Sequence, residues 1–193
     1  MRHTSARKLR IAVDGAQSTG KTTIFDSLER SFRTSFTFIP EASRSIAPKF
    51  GVSRASDWPR LLSDADALRA FFNAEEEWQR SAEDRSNAFV VDSSLLLVQA
   101  YRQRFEPGYR LQETFANRYD LILYCPVAEE GISDGFRFLN GRAEVAYIYE
   151  SIALKHFRGT FTRLPDGLAR SHTAESYVRD LLQSDHPAGD SHD

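Results

Sequence analysis

Residues 9–23 read Leu9-Arg10-Ile11-Ala12-Val13-Asp14-Gly15-Ala16-Gln17-Ser18-Thr19-Gly20-Lys21-Thr22-Thr23. A short apolar run is followed by glycine, four residues and Gly-Lys-Thr, and then by Ile24, Phe25, Leu28 and Phe32 at helical spacing. Strand, glycine loop and helix are the context that makes this spacing a phosphate-binding loop. Gly15 and Gly20 let backbone N–H groups turn inward around an anion, with Ser18, Thr19 and Thr23 in the same cradle. Lys21 bridges the outer phosphates of a nucleotide, and the Thr22 hydroxyl is a ligand for magnesium. The helix starting there adds the positive end of its dipole. An ordinary strand-to-helix turn does not account for Lys21, one of few lysines in an arginine-rich chain.

Outward from this loop, strands and helices alternate. Phe36, Phe38 and Ile39 predict a second strand that Pro40 stops, delivering Glu41 to Arg44 to its C-terminal edge. Pro48, Gly51 and Pro59 break residues 47–62 into loops and short helices carrying Trp58. Residues 65–84 predict a long helix with Leu68, Phe71, Phe72 and Trp78 on its apolar side, and with Glu75, Glu76 and Glu77 expected on the wetter side as a solvated face. A third strand, residues 87–92, ends in Asp92 and is followed by Ser93 and Ser94, which suit a helix N-cap. The next helix runs to Pro107-Gly108, and residues 109–118 predict another short one. Residues 121–124 form a fourth strand, residues 145–157 a helix, residues 160–164 a fifth strand and residues 174–182 a closing helix. Residues 129–142 are polar and aperiodic, in keeping with a lid, and residues 184–193 read as a disordered tail. This alternation implies an α/β fold with a parallel sheet and helices on both faces, in a single unit over residues 1–183.

With 193 residues, 41% hydrophobic and 27% charged, the chain has enough material for one core. A net charge of -2 gives no overall electrostatic footprint for polynucleotide, so nucleic acid is not the expected partner. The single cysteine, Cys125, excludes an intrachain disulfide framework and, with no membrane-spanning run, leads us to expect a cytoplasmic protein. Self-association is left open.

Three sets of polar groups beyond the loop narrow the chemistry. Asp92, at a strand end expected beside the loop, is placed to hold magnesium or to accept the proton of an attacking hydroxyl; a helix N-cap is the bland alternative. Glu41 and Arg44, three residues apart, share one face of a starting helix, where a carboxylate binds a hydroxyl or acts as base and an arginine binds an anion, unless they are a plain surface pair. Arg137 and Arg142 in the lid segment suit the charge that develops on a transferring phosphoryl group. Trp58 offers a stacking surface for an acceptor ring. These features point to ATP with Mg2+ and a small-molecule acceptor. The alternative is a nucleotide-dependent switch, whose guanine-specific Asn-Lys-x-Asp branch is missing from the sequence.

The loop GAQSTGKTT, FIPEASR at 38–44, VVDSS at 90–94, YDLILY at 119–124 and DGFR at 134–137 together resemble the AAA-type ATPase/kinase domain of the NadR type. The resemblance covers nearly the whole chain. It implies the three-layer P-loop NTPase fold in its nucleoside and shikimate kinase arrangement, with five parallel strands ordered 2-3-1-4-5. It further implies ATP-dependent phosphorylation of nicotinamide riboside or another nucleoside. By the same resemblance Lys21 and Thr22 bind ATP and magnesium, Asp92 is the catalytic or metal-linked carboxylate and Arg137 belongs to the lid. In related deoxynucleoside kinases the base follows the second strand, where this chain has Glu41.

Overall fold

In a computed structural model, which describes residues 9–127, 136, 141–167 and 169–184, five strands form one parallel sheet ordered β2-β3-β1-β4-β5. They are β1 Arg10–Asp14, β2 Thr37–Ile39, β3 Phe89–Asp92, β4 Leu121–Tyr124 and β5 Thr160–Arg163. The order is the one the resemblance implied. β1 lies at the centre, with Val13 level with Asp92 on one side and Leu123 on the other, so the glycine loop and Asp92 leave the sheet at the same edge. That edge, the C-terminal one, is where ligands bind in open α/β sheets.

Among the described residues seven α-helices surround the strands: α1 Lys21–Phe32, α2 Ala42–Ile46, α3 Trp58–Leu62, α4 Ala65–Glu83, α5 Leu95–Phe105, α6 Arg142–His156 and α7 Ala169–Ser184. Successive strand residues point to opposite faces, which splits the core in two. Ile11, Val13, Val90, Leu121 and Leu123 pack with Ile24 and Leu28 of α1 and with Ala174 and Val178 of α7. Ala12, Val91, Ile122 and Tyr124 pack with Leu96 and Leu97 of α5 and with Tyr149 and Ile152 of α6. Because both faces are covered, the central strands read in sequence as apolar runs without alternation. A third cluster, joining Ile46, Leu61, Leu68, Phe71, Phe72 and Val98, binds α2, α3, α4 and α5 into a helical annex beside the loop edge.

Several expectations are corrected. Glu75 and Glu76 are buried rather than solvated, and only Glu77 of the triplet is exposed. The reason is helical phase: Glu75 lies seven residues from Leu68, four from Phe71 and three from Phe72, so it continues their stripe. Residues 109–118 hold only a 3-10 turn, Glu113–Asn117, since Pro107-Gly108 and the polar sequence give no sustained apolar face. α7 begins at Ala169, five residues before its apolar pattern starts. Of the tail expected over residues 184–193, Ser184 instead ends α7, and residues 185–193 lie outside the described residues, as does the lid segment apart from Phe136, Gly141 and Arg142. Among the described residues no helix is long and apolar enough to cross a membrane.

Candidate active site

The loop between β1 and α1 is shaped by two residues that only its geometry explains. Gly15 has φ +151°, and a Cβ there would run into the Cys125 carbonyl oxygen after β4. Ser18 has φ +58°; the other non-glycine residue with positive φ among those described is Ser93, at +75°, directly after Asp92. Left-handed backbone at non-glycine residues costs energy, and both instances fall at this one edge. Lys21 is 2% exposed and folds back so that its Nζ donates to the Ala16 carbonyl oxygen at 3.0 Å, across the mouth of the loop. The Thr19 hydroxyl donates to the same carbonyl at 2.9 Å. Thr23 is exposed in the first turn of α1.

Beside the loop, the Thr22 hydroxyl donates to Asp92 Oδ2 at 2.9 Å, pairing the two oxygens expected at a magnesium site. Asp92 is buried and is not the cap of α5: that role belongs to Ser94, whose hydroxyl oxygen accepts from the Leu97 N–H at 3.1 Å. Ser94 also donates to Asp14 through both its N–H, at 2.6 Å, and its hydroxyl, at 2.5 Å, and the Tyr149 hydroxyl donates to Asp14 at 2.5 Å. Burial raises the Asp14 carboxyl above its usual range, against the opposing pull of these hydrogen bonds. Asp14 thus clasps the end of β1 to the starts of α5 and to α6, fixing the distance between the loop and Asp92. Sequence reading missed this role, because the partners are 80 and 135 residues away. It also missed Arg170 of α7, whose guanidinium donates to the Thr19 carbonyl, to the Pro165 carbonyl at 2.7 Å and to Asp166 at 2.5 Å, bracing the loop from behind.

Next to the loop the annex encloses a cavity walled by Trp58, Phe71, Phe72, Tyr101, Phe105 and Phe136. Gln17 from the loop and Ser93 after Asp92 line the same cavity, so it opens onto the phosphate cradle. Tyr101 ties the two together, its hydroxyl donating to Gln17 Oε1 at 2.6 Å. Trp58 stands edge-on to Phe71 and Phe136, and its Nε1 donates to the Phe136 carbonyl at 2.8 Å, drawing this one described residue of residues 128–140 into the cavity wall. Among the described residues two carboxyls line the cavity, Glu41 and Glu75. Glu41, at the N-cap position of α2, accepts from Arg44 Nε at 3.2 Å, and the Arg44 guanidinium lies over the Phe136 ring at 5.1 Å.

The structure therefore groups the predicted residues into two sets: Gly15, Ser18, Thr19, Gly20, Lys21, Thr22 and Asp92 at the loop, and Glu41, Arg44 and Trp58 at the cavity. Arg142 is half-buried as the first residue of α6, whose start lies against Arg104 and Phe105 at the end of α5. Arg137 lies outside the described residues. Glu75 is the cavity residue that sequence reading set aside, although its phase with Leu68, Phe71 and Phe72 carried the signal.

Residues 10–167 match the family model described as AAA domain. No curated protein matches the sequence. Among solved structures, the shikimate kinase from Acinetobacter baumannii in complex with shikimate is 13% identical, with a TM-score of 0.56 over 92% of this chain and 96% of that one. The thymidylate kinase from Candida albicans is 15% identical, with a TM-score of 0.59 over 95% and 96%. At these identities the likeness is one of fold.

Proposed function

This chain belongs to the AAA domain family, and from that premise we propose that it is an ATP-dependent small-molecule kinase, transferring the γ-phosphoryl group to a hydroxyl of a nucleoside-like metabolite. The observation that carries the reading is the shared wall: Gln17 and Ser93 belong both to the loop edge and to the aromatic cavity. A switch ATPase has no need of an enclosed cavity opening onto its phosphates, whereas a kinase must hold an acceptor there. The motif resemblance makes nicotinamide riboside one candidate acceptor among nucleosides.

In this reading the loop N–H groups and the start of α1 bind the nucleotide phosphates, and Lys21 exchanges the Ala16 carbonyl for a phosphate oxygen. Thr22 and Asp92 are hard oxygen donors already in hydrogen-bond contact, a set that fits a magnesium ion arriving with its nucleotide; such ions take one or two protein oxygens and no all-protein cage. That ion would supply charge neutralisation at the outer phosphates. With Asp92 engaged on the donor side, Glu41 is the carboxylate on the acceptor side. It accepts the proton of the attacking hydroxyl while Arg44 holds its orientation. The apolar walls exclude water, which favours transfer to the acceptor over hydrolysis. Asp14 and Arg170 position the loop without touching substrate.

A coupled assay of the purified protein with MgATP against a panel of nucleosides, nicotinamide riboside included, tests the proposal. Acceptor-dependent turnover above the rate with water alone supports it; its absence across the panel removes it.

A further inference from the structure

The buried face of α4 carries four polar side chains, Glu75, Glu76, Gln79 and Glu83. Three bond within the protein, Gln79 through its Nε2 alone, its Oε1 having no partner among the described residues. Glu76 is bridged to Arg102 at 2.9 Å and accepts from Gln99 at 2.9 Å. Glu83 accepts from Arg118 and Tyr119, both at 2.7 Å, and from Gln79, whose amide also donates to the Ser93 carbonyl at 2.8 Å. Glu75 differs. It is 7% exposed, lines the cavity, and among the described residues no hydrogen bond reaches its carboxyl. A buried carboxyl without a partner is costly, and one that lines a cavity while the other two carboxyls of the same helix face, Glu76 and Glu83, are bonded within the protein is placed to meet a ligand.

We propose that Glu75 is the residue that reads the acceptor, hydrogen-bonding the edge of a planar ring that carries a donor beside an acceptor, as nucleobases and ring carboxamides do. The inference rests on the kinase reading for the identity of the cavity as the acceptor site. Planarity follows from the walls: Trp58, Phe71, Phe72 and Phe105 are aromatic, and such a lining favours a flat aromatic body over a compact polyol. The edge follows from the protonation state. Burial above all, then the neighbouring charges of Glu41 and Glu76, push Glu75 up to about 8 against the opposing pull of Arg102. A protonated carboxyl offers an O–H donor next to a carbonyl acceptor, the complement of such a ring edge; an ionised one offers acceptors alone. Glu41, paired with Arg44, remains available for the hydroxyl to be phosphorylated.

Glutamine reproduces the donor–acceptor pair of a protonated glutamate, and leucine keeps the bulk without it, so Glu75→Gln and Glu75→Leu separate recognition from packing. Equilibrium titrations of the full chain use adenosine, cytidine, guanosine, uridine and nicotinamide riboside, with a phenyl riboside as the ring lacking a polar edge. ATP binding serves as the folding control for both variants. The wild type should bind at least one polar-edged ring about tenfold or more tighter than the phenyl riboside. Glu75→Gln should keep that preference within about threefold, and Glu75→Leu should erase it. Equal affinities for all the rings in the wild type, binding of none of them, or a preference that survives in Glu75→Leu overturns the proposal. Because the readout is binding, a ring held through Glu75 without phosphoryl transfer would remove the kinase reading alone, and transfer indifferent to Glu75→Leu would remove this inference alone.

Discussion

At the loop edge Lys21, Thr22 and Thr19 are each bonded to other protein groups, whereas in the adjoining cavity no hydrogen bond among the described residues reaches the Glu75 carboxyl. Both regions bury charge, and they stabilise it differently. The loop holds its charged groups ready by lending them protein partners that a phosphate or a metal ion can replace, so its geometry exists before the nucleotide arrives. The cavity instead works against charge: burial pushes Glu75 up to about 8, which favours its neutral form. In our account the first arrangement suits a ligand common to many enzymes, and the second suits one that must be told apart from its relatives.

If that division holds, changes in the two regions should be separable in kinetics. The largest effect belongs to the loop: Lys21→Ala should reduce acceptor-dependent turnover by about a thousandfold, since it removes the one side-chain cation that the motif aims at the outer phosphates. Near-normal activity in steady-state assays of that variant would break the donor assignment. Next come the two carboxylates. Glu41→Gln should lower kcat by roughly a hundredfold with KM for ATP unchanged, the mark of a lost general base, while Asp92→Asn should raise the magnesium concentration needed for half-maximal rate. The reverse pattern would move the base to the loop edge and undo the comparison. Arg170→Ala, which frees the Thr19 carbonyl from its brace, should raise KM for ATP about fivefold and leave the acceptor KM alone.

The remaining effect is on stability rather than on kinetics. Glu75 is raised from 4.5 to about 8 in the folded chain, so between those values the native state keeps a proton that the unfolded state has released. Its contribution is complete below pH 4.5 and is lost as the pH rises toward 8. Unfolding free energies measured by denaturation from pH 5 to 8 should therefore fall for the wild type relative to Glu75→Gln, by an amount on the order of a few kcal/mol across the range. Parallel profiles would mean that Glu75 is ionised in the fold.

The same division explains what could be read from the sequence. Strand, glycines, Lys21 and Thr22 act within about fifteen consecutive residues, so their chemistry is local and the motif exposes it. Asp92 was legible as a carboxylate ending an apolar strand. The cavity is assembled from α2, α3, α4, α5 and Phe136, segments that become neighbours only through the packing of Ile46, Leu61, Phe71 and Val98. Glu75 is hidden for a further reason: by residue type three adjacent glutamates look like a solvated face, although by helical phase the first two continue the apolar stripe. Arg170 and Asp14 bond to backbone and side chains across the sheet edge, contacts that no spacing announces.

The most direct test is to follow 31P NMR of MgATP with the wild-type chain and each nucleoside in turn. Our account predicts a new phosphomonoester signal on at least one acceptor, formed faster than inorganic phosphate and lost in Glu41→Gln. Inorganic phosphate as the sole new product with every acceptor would contradict it.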